Sequence, residues 1–178
     1  MQIAPINDED WPTELAYLLP GFAGKLNVYR TMAHHPALLR AWANLREHIV
    51  NQSSLPKDFL EVVILRAGHN LNSPYEWAHH VFRSRQLGMA DARITSIQGE
   101  VENMEDRDGL LAKAVDELFQ TAQLCPQTQS ALIATFSLPA MFDLMATVGF
   151  YSTLGFILNS FDTPLDDNVR AALDAWPD

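Results

Sequence analysis

A single cysteine, Cys125, among 178 residues excludes a disulfide within the chain and any redox cycle that one subunit would run with two thiols. That composition suits a reducing compartment, and a cytoplasmic location is expected. Basic residues are few: 12 Lys and Arg stand against 22 Asp and Glu, and the net charge of −10 gives a field that repels phosphate backbones and anionic lipid. Nucleic acid is therefore not an expected partner, and neither is a membrane. Long uncharged apolar runs are also scarce. Leu144 to Leu158 falls short of the roughly 20 residues a spanning helix needs, and Asp143 and Asn159 bound it, so a buried helix is expected there. The stretch MQIAPINDEDWP lacks a basic region ahead of an apolar core, so no signal peptide is expected. Alternating apolar runs joined by Asn-Gly or Asp-Gly turns do not occur, which removes hairpin-based sheets.

What is present is helical spacing. With 48% hydrophobic residues, the chain is long enough for one domain with a substantial core, and it reads as all-α. A first helical region is expected over Phe22 to Ala33. Pro36 opens a second, in which Leu38, Leu39, Trp42, Leu45 and Ile49 form one stripe. A third, PKDFLEVVILRAGHNL, is apolar nearly all round and should be central. Ser73 and Pro74 start a fourth, running to about Gly88, and a short helix should follow near Ala90 to Ile97. The acidic stretch 99–109 reads as a solvated connection. Further helices are expected in LLAKAVDELFQTAQL, PQTQSALIATF and PAMFDLMATVGFYSTLGFILNSF.

Two places could carry chemistry. Glu61 is flanked by Phe59, Leu60, Val62, Val63 and Ile64, so it either lies at an exposed edge with Asp58 and Arg66 or is held inside for a purpose. The second is SPYEWAHH, residues 73–80. Ser73-x-x-Glu76 fits a capping box, which would make both residues architecture. His80 has no part in a cap. It lies four residues after Glu76, on the same helical face, so a carboxylate there can orient and tune an imidazole whose reference pKa is about 6.5. Glu76-x-x-His79 is also half of a di-iron carboxylate motif, but no second copy occurs; His34, His35 and His69 could add ligands only through tertiary contacts. No metal or other cofactor is expected. Cys125, ahead of Pro126 with no second cysteine nearby, reads as inert.

Leu55-Pro56 leading into Glu61-Val62-Val63-Ile64-Leu65, then Tyr75-Glu76-Trp77-Ala78-His79-His80, Gly88 and Val148-Gly149-Phe150-Tyr151 together resemble the carboxymuconolactone decarboxylase family, which includes the alkylhydroperoxidase D (AhpD)-like proteins. The resemblance implies an AhpD-like helical bundle in one domain over 1–178, with 1–33 as an N-terminal extension, assembled as a homo-oligomer. The redox branch of the family opens the site helix with Cys-x-x-Cys-x-x-x-His, preceded by a glutamate. Here the matching positions are Glu61, Ser73, Glu76 and His80, so both sulfurs are absent and peroxide reduction by a thiolate pair is not expected. The decarboxylase branch is similar in its Tyr-Glu-Trp segment and following histidine. It implies proton transfer on a small carboxylated or lactone substrate, with His80, Glu61, Glu76 and Tyr75 as the site. Arg66, Arg83 and Arg85 could meet a substrate carboxylate but read as solvated surface charges. Gly149, Ser152 and Gly155 would allow close helix approach between subunits. Two alternatives stand beside this: a helical binding or assembly protein without chemistry, and a redox role for Cys125 with a thiol from another chain.

Overall fold

The computed structural model describes residues 3–175, which form helices and no strands. The core is organised around α3 (Lys57–Asn70), in which every residue from Leu60 to Gly68 is buried. Pro56 precedes it, its fixed φ suiting a helix start. The burial of Leu60, Val62, Val63, Ile64 and Leu65 contributes about 1.5–3 kcal/mol for each large side chain. Around α3 pack α4 (Pro74–Gln86), α6 (Asp106–Thr121) and α8 (Leu138–Phe161). Asn72, in the left-handed region at φ 49°, makes the sharp passage from α3 to α4. Gly88 at φ 81° ends α4, as its position predicts, and leads to α5 (Asp91–Ser96).

The N-terminal segment is folded onto this core. A short 3-10 turn over Thr13–Leu18 buries Leu15 and Leu18, and the Trp11 indole donates to the Leu15 carbonyl at 2.9 Å. The expected helix over Phe22 to Ala33 shortens to α1 (Asn27–Met32). Its first residues are instead a tight turn in which a Cβ on Gly24 would lie 2.1 Å from the Leu19 carbonyl oxygen. The second helix, α2 (Pro36–Glu47), passes into one π-helical turn over His48–Gln52. His48 there approaches Asp143 of α8 at 2.7 Å.

Two other expectations need correction. The connection 99–109 is not simply solvated, because α6 already begins at Asp106 and Asp108 is 1% exposed, held by two hydrogen bonds from Arg93. Gly155 does not serve a subunit contact: a Cβ there would stand 2.9 Å from Leu71 Cδ1, so it packs inside the chain. A further helix, α9 (Asp167–Asp174), follows α7 (Pro126–Thr135) and α8 and docks on α4. With eight residues and only Val169 buried, its local pattern is too weak to announce it. By length and composition α8 could cross a membrane, but 56% of its apolar window is buried in the bundle.

Candidate active site

Glu61 and His80 meet. Glu61 projects from the middle of α3 and His80 from the second turn of α4, both almost fully buried, with His80 Nδ1 2.5 Å from Glu61 Oε2. A carboxylate oxygen accepts, so Nδ1 carries the hydrogen and the Nε2 lone pair is left free. Nε2 lies 3.5 Å from Glu76 Oε2, one turn earlier on α4. The imidazole thus stands between two carboxyl groups, with the Tyr151 ring edge-on at 5.0 Å. Burial outweighs the Glu61 interaction and pulls the His80 pKa below its ordinary value.

Glu76 is not a cap residue. Ser73 makes no side-chain hydrogen bond at the helix start, its Oγ is buried without a partner, and the Glu76 carboxyl turns inward. Interior packing takes precedence over the capping box because α3 lies against this first turn: Gly68 is so close that a Cβ on it would be 3.3 Å from Glu76 Cβ. Burial, with a smaller contribution from Glu61, pushes the Glu76 pKa up to about 8, while Arg83 opposes the shift. Glu76 Oε1 has no hydrogen-bond partner. At neutral pH the pair is therefore a neutral imidazole beside a neutral carboxylic acid.

This arrangement has a consequence for stability. A glutamate in the unfolded chain loses its proton near pH 4.3, whereas Glu76 in the fold keeps it to about 8, so stability falls as the pH rises through that window. Glu76→Gln removes the penalty. The variant is expected to melt above the parent near pH 8 and level with it near pH 4, by roughly 1.4 kcal/mol per pH unit gained across the window. Parallel melting curves for the two proteins from acid to alkaline pH would show that the group is already ionised in the fold.

His80, Glu76 and Tyr75 line a cavity of about 400 Å³. Phe22, Lys25 and Tyr29 of the N-terminal segment also line it, as do Asn168 and Val169 of α9. Residues ahead of Pro36 thus help to line the cavity. Arg46 of α2 and Arg83 of α4 also face this space. A second cavity of about 200 Å³ lies on the Glu61 side and shares Arg83 and Tyr151 with the first.

Tyr75 contributes its ring to the cavity, but its hydroxyl is occupied. It donates to Asp166 Oδ2 at 2.5 Å and accepts from the Val28 amide at 3.3 Å, and burial followed by Asp166 raises its pKa strongly. The ring stacks on His79 at 4.1 Å, and His79 Nε2 lies 3.0 Å from the same Asp166 oxygen, out of line for a hydrogen bond. Asp166 also accepts from the Asn27 amide, so this group ties α1, α4 and the start of α9 into one wall.

The arginines depart from the surface reading. Arg66 is 8% exposed and bonded to Asp116, and Arg85 pairs with Asp91. Arg83 alone of the three reaches the cavity. Arg46 was not marked by any motif. Cys125 lies at the start of α7, bonded to Glu117 and Thr128, and does not line the cavity. Among the described residues no group of three or more His, Cys, Asp or Glu is arranged to hold a metal ion.

Comparison with known proteins agrees with this architecture. Residues 36–104 match the model of the carboxymuconolactone decarboxylase family. No curated protein sequence matches the chain significantly. Among solved structures, a cysteine-to-alanine variant of the debrominase Bmp8 in complex with 2,3,4-tribromopyrrole is 17% identical, with a TM-score of 0.75 over 98% of this chain and 96% of that one. The AhpD core of an uncharacterised peroxidase-related protein from Ralstonia eutropha JMP134 is 14% identical, with a TM-score of 0.76 over 95% of both chains. An uncharacterised peroxidase-related protein from Silicibacter sp. TM1040 is similar at 14% identity, with a TM-score of 0.75 over 89% of this chain and 88% of that one. At such identities the likeness speaks to fold. The family match encloses Glu61, Glu76 and His80, and the chain as a whole folds as the AhpD-like structures do; residues 36–104 are thus similar to the carboxymuconolactone decarboxylase family, in a chain that carries no cysteine pair.

Proposed function

We propose that the protein is a proton-transfer enzyme of decarboxylase type, acting on a small carboxylated or lactone substrate in the 400 Å³ cavity. The observation that carries the reading is the 2.5 Å contact of His80 Nδ1 with Glu61, which orients the ring and leaves Nε2 on the Glu76 side, where the cavity is. When carbon dioxide leaves, the carbon–carbon bond breaks and its electron pair remains on the substrate as an enolate-like charge. A proton from the His80 and Glu76 pair then forms the new carbon–hydrogen bond, and solvent returns a proton to the pair. Glu61 acts as a positioning residue, and Tyr75 supports the wall through Asp166.

A thiol peroxidase route has no sulfur in this cavity, since the sole cysteine lies elsewhere. The open space beside His80 also favours an enzyme over a scaffold that has lost its chemistry, in which that space would be filled. The binding of tribromopyrrole by a protein of the same fold supports a small-molecule site. The test is incubation in deuterium oxide with small carboxylates and lactones, followed by NMR for loss of carbon dioxide or for carbon–deuterium bonds. A panel in which no member exchanges or decarboxylates would sink the reading.

Homo-oligomer formation is part of the same proposal. On the outer face of α8, Leu138, Phe142, Gly149 and Phe156 are exposed, with Met145 and Ser152 half-buried between them, at alternating steps of four and three. That spacing suits a seam with a second copy of the helix. The double variant Phe142→Ser, Phe156→Ser is expected to sediment as a monomer where the parent does not. A parent protein that is monomeric at tens of micromolar would remove the assembly.

A further inference from the structure

Five arginines are held by carboxylates: Arg30 by Asp8, Arg40 by Glu14, Arg66 by Asp116, Arg85 by Asp91, and Arg93 by Asp58 and Asp108. Arg46 and Arg83 have no carboxylate oxygen within 4.0 Å among the described residues, and these two line the cavity. A chain of net charge −10 has acid to spare, so leaving two half-buried guanidinium groups unpaired in one concavity calls for a ligand that supplies the missing charge.

The two positions differ in character. Arg83 follows His80 by three residues on α4, and its charge is sustained against burial by Tyr151, Glu61, Tyr29 and Glu76. It belongs to the reacting end. Arg46 comes from α2: its guanidinium lies 4.1 Å over the Phe22 ring and 5.8 Å over the Tyr29 ring, while its Nε is buried without a partner. Cation–π packing fixes the plane of the fork, and a guanidinium held flat in this way can take a carboxylate in bidentate fashion. Phe22 and Tyr29 offer flat apolar surface next to it.

We infer that Arg46 is the specificity-determining residue of the cavity, binding a carboxylate that a flat organic anion keeps through the reaction, while Arg83 faces the charge that develops beside His80. This rests on the proton-transfer reading for the role of Arg83 alone. A carboxylate that departs as neutral carbon dioxide loses any ion pair that held it, so tight pairing of the leaving group stabilises the ground state and slows the step. The strong anchor therefore suits a second, retained carboxylate. The N-terminal segment lines the space beside it, through Phe22 and Tyr29.

The probes are benzoate and benzamide, of one shape and different charge, titrated calorimetrically into the full chain. Benzoate is expected to bind at least ~10-fold more tightly than benzamide, and Arg46→Met to remove that preference while leaving benzamide unchanged. Arg83→Met is expected to keep the preference within about twofold. Equal binding of the two probes, binding of neither, or a preference that follows Arg83 would overturn the assignment. Should Arg46→Met fail to fold, Arg46→Lys decides: loss of the bidentate edge is expected to weaken benzoate several-fold, and parent-like affinity overturns the proposal. Binding that behaves in this way without turnover of any carboxylate would therefore sink the decarboxylase reading and leave the role of Arg46 standing.

Discussion

Replacing His80 by glutamine is expected to lower turnover of any substrate found for this cavity by about 10²–10⁴-fold, with kcat rather than KM carrying the loss. Glutamine has similar reach and can still bond to Glu61, so the 2.5 Å contact has a successor and the fold is retained. What disappears is a group that both accepts and returns a proton. Glu61→Gln separates orientation from chemistry. It keeps the shape but no longer favours hydrogen on Nδ1, so the expected effect is a smaller loss with a displaced pH profile. In the parent the acid limb should lie below pH 6.5, because burial lowers the His80 pKa and the base is lost only when the ring is protonated. The alkaline limb should lie near pH 8, where Glu76 ionises. Turnover by His80→Gln equal to that of the parent would take the imidazole out of the mechanism. A profile with no limb near pH 8 would take out Glu76.

How far the sequence reveals this site depends on which signals are local. Glu61 and His80 could be paired from a carboxylate inside an apolar helix and an imidazole on the next one, and α3 is as enclosed as its uniform apolarity suggests. The helical class and the starts at Pro36, Pro74 and Pro126 were equally legible, since proline at a first turn acts through its own φ. The role of Glu76 was hidden by a stronger local pattern. Ser73-x-x-Glu76 fits a cap, and only the close approach of Gly68 on α3 turns the carboxyl inward. Arg46 and Asp166 carried no local mark at all. Each gains its meaning from a segment distant in sequence: Phe22 and Tyr29 for Arg46, and Asn27, Tyr75 and His79 for Asp166.

Arg66 shows the same limit and leads to the largest expected loss of stability. Read as a surface charge from its place after Leu65, it is instead the joint between α3, α6 and the turn that follows α5. Its Nε and one terminal nitrogen grip Asp116 at 2.9 and 2.6 Å, and the other donates to the carbonyls of Ile97 and Gly99, both at 2.8 Å. Arg66→Met keeps most of the packed stem and removes its donors, leaving a half-buried carboxylate with Asn70 alone and two carbonyls without the guanidinium. The expected cost is about 3–5 kcal/mol in denaturant unfolding at neutral pH, the range for breaking a buried pair from one side. The pH dependence identifies the cause. Burial would raise the Asp116 pKa, but hydrogen bonds from Arg66 and Asn70 outweigh it and hold the group below its ordinary value. Stability from a depressed carboxyl is present above its unfolded pKa near 3.9 and is lost as the pH falls through the folded one, so the gap between parent and variant should narrow toward about pH 3. A gap that stays constant into acid would assign the loss to packing and not to the ion pair. Activity adds a second readout, because Glu61 stands five residues earlier on the same helix. A small displacement of α3 lengthens its contact with His80, so residual turnover at temperatures where the variant is still folded should fall further than the folded fraction does.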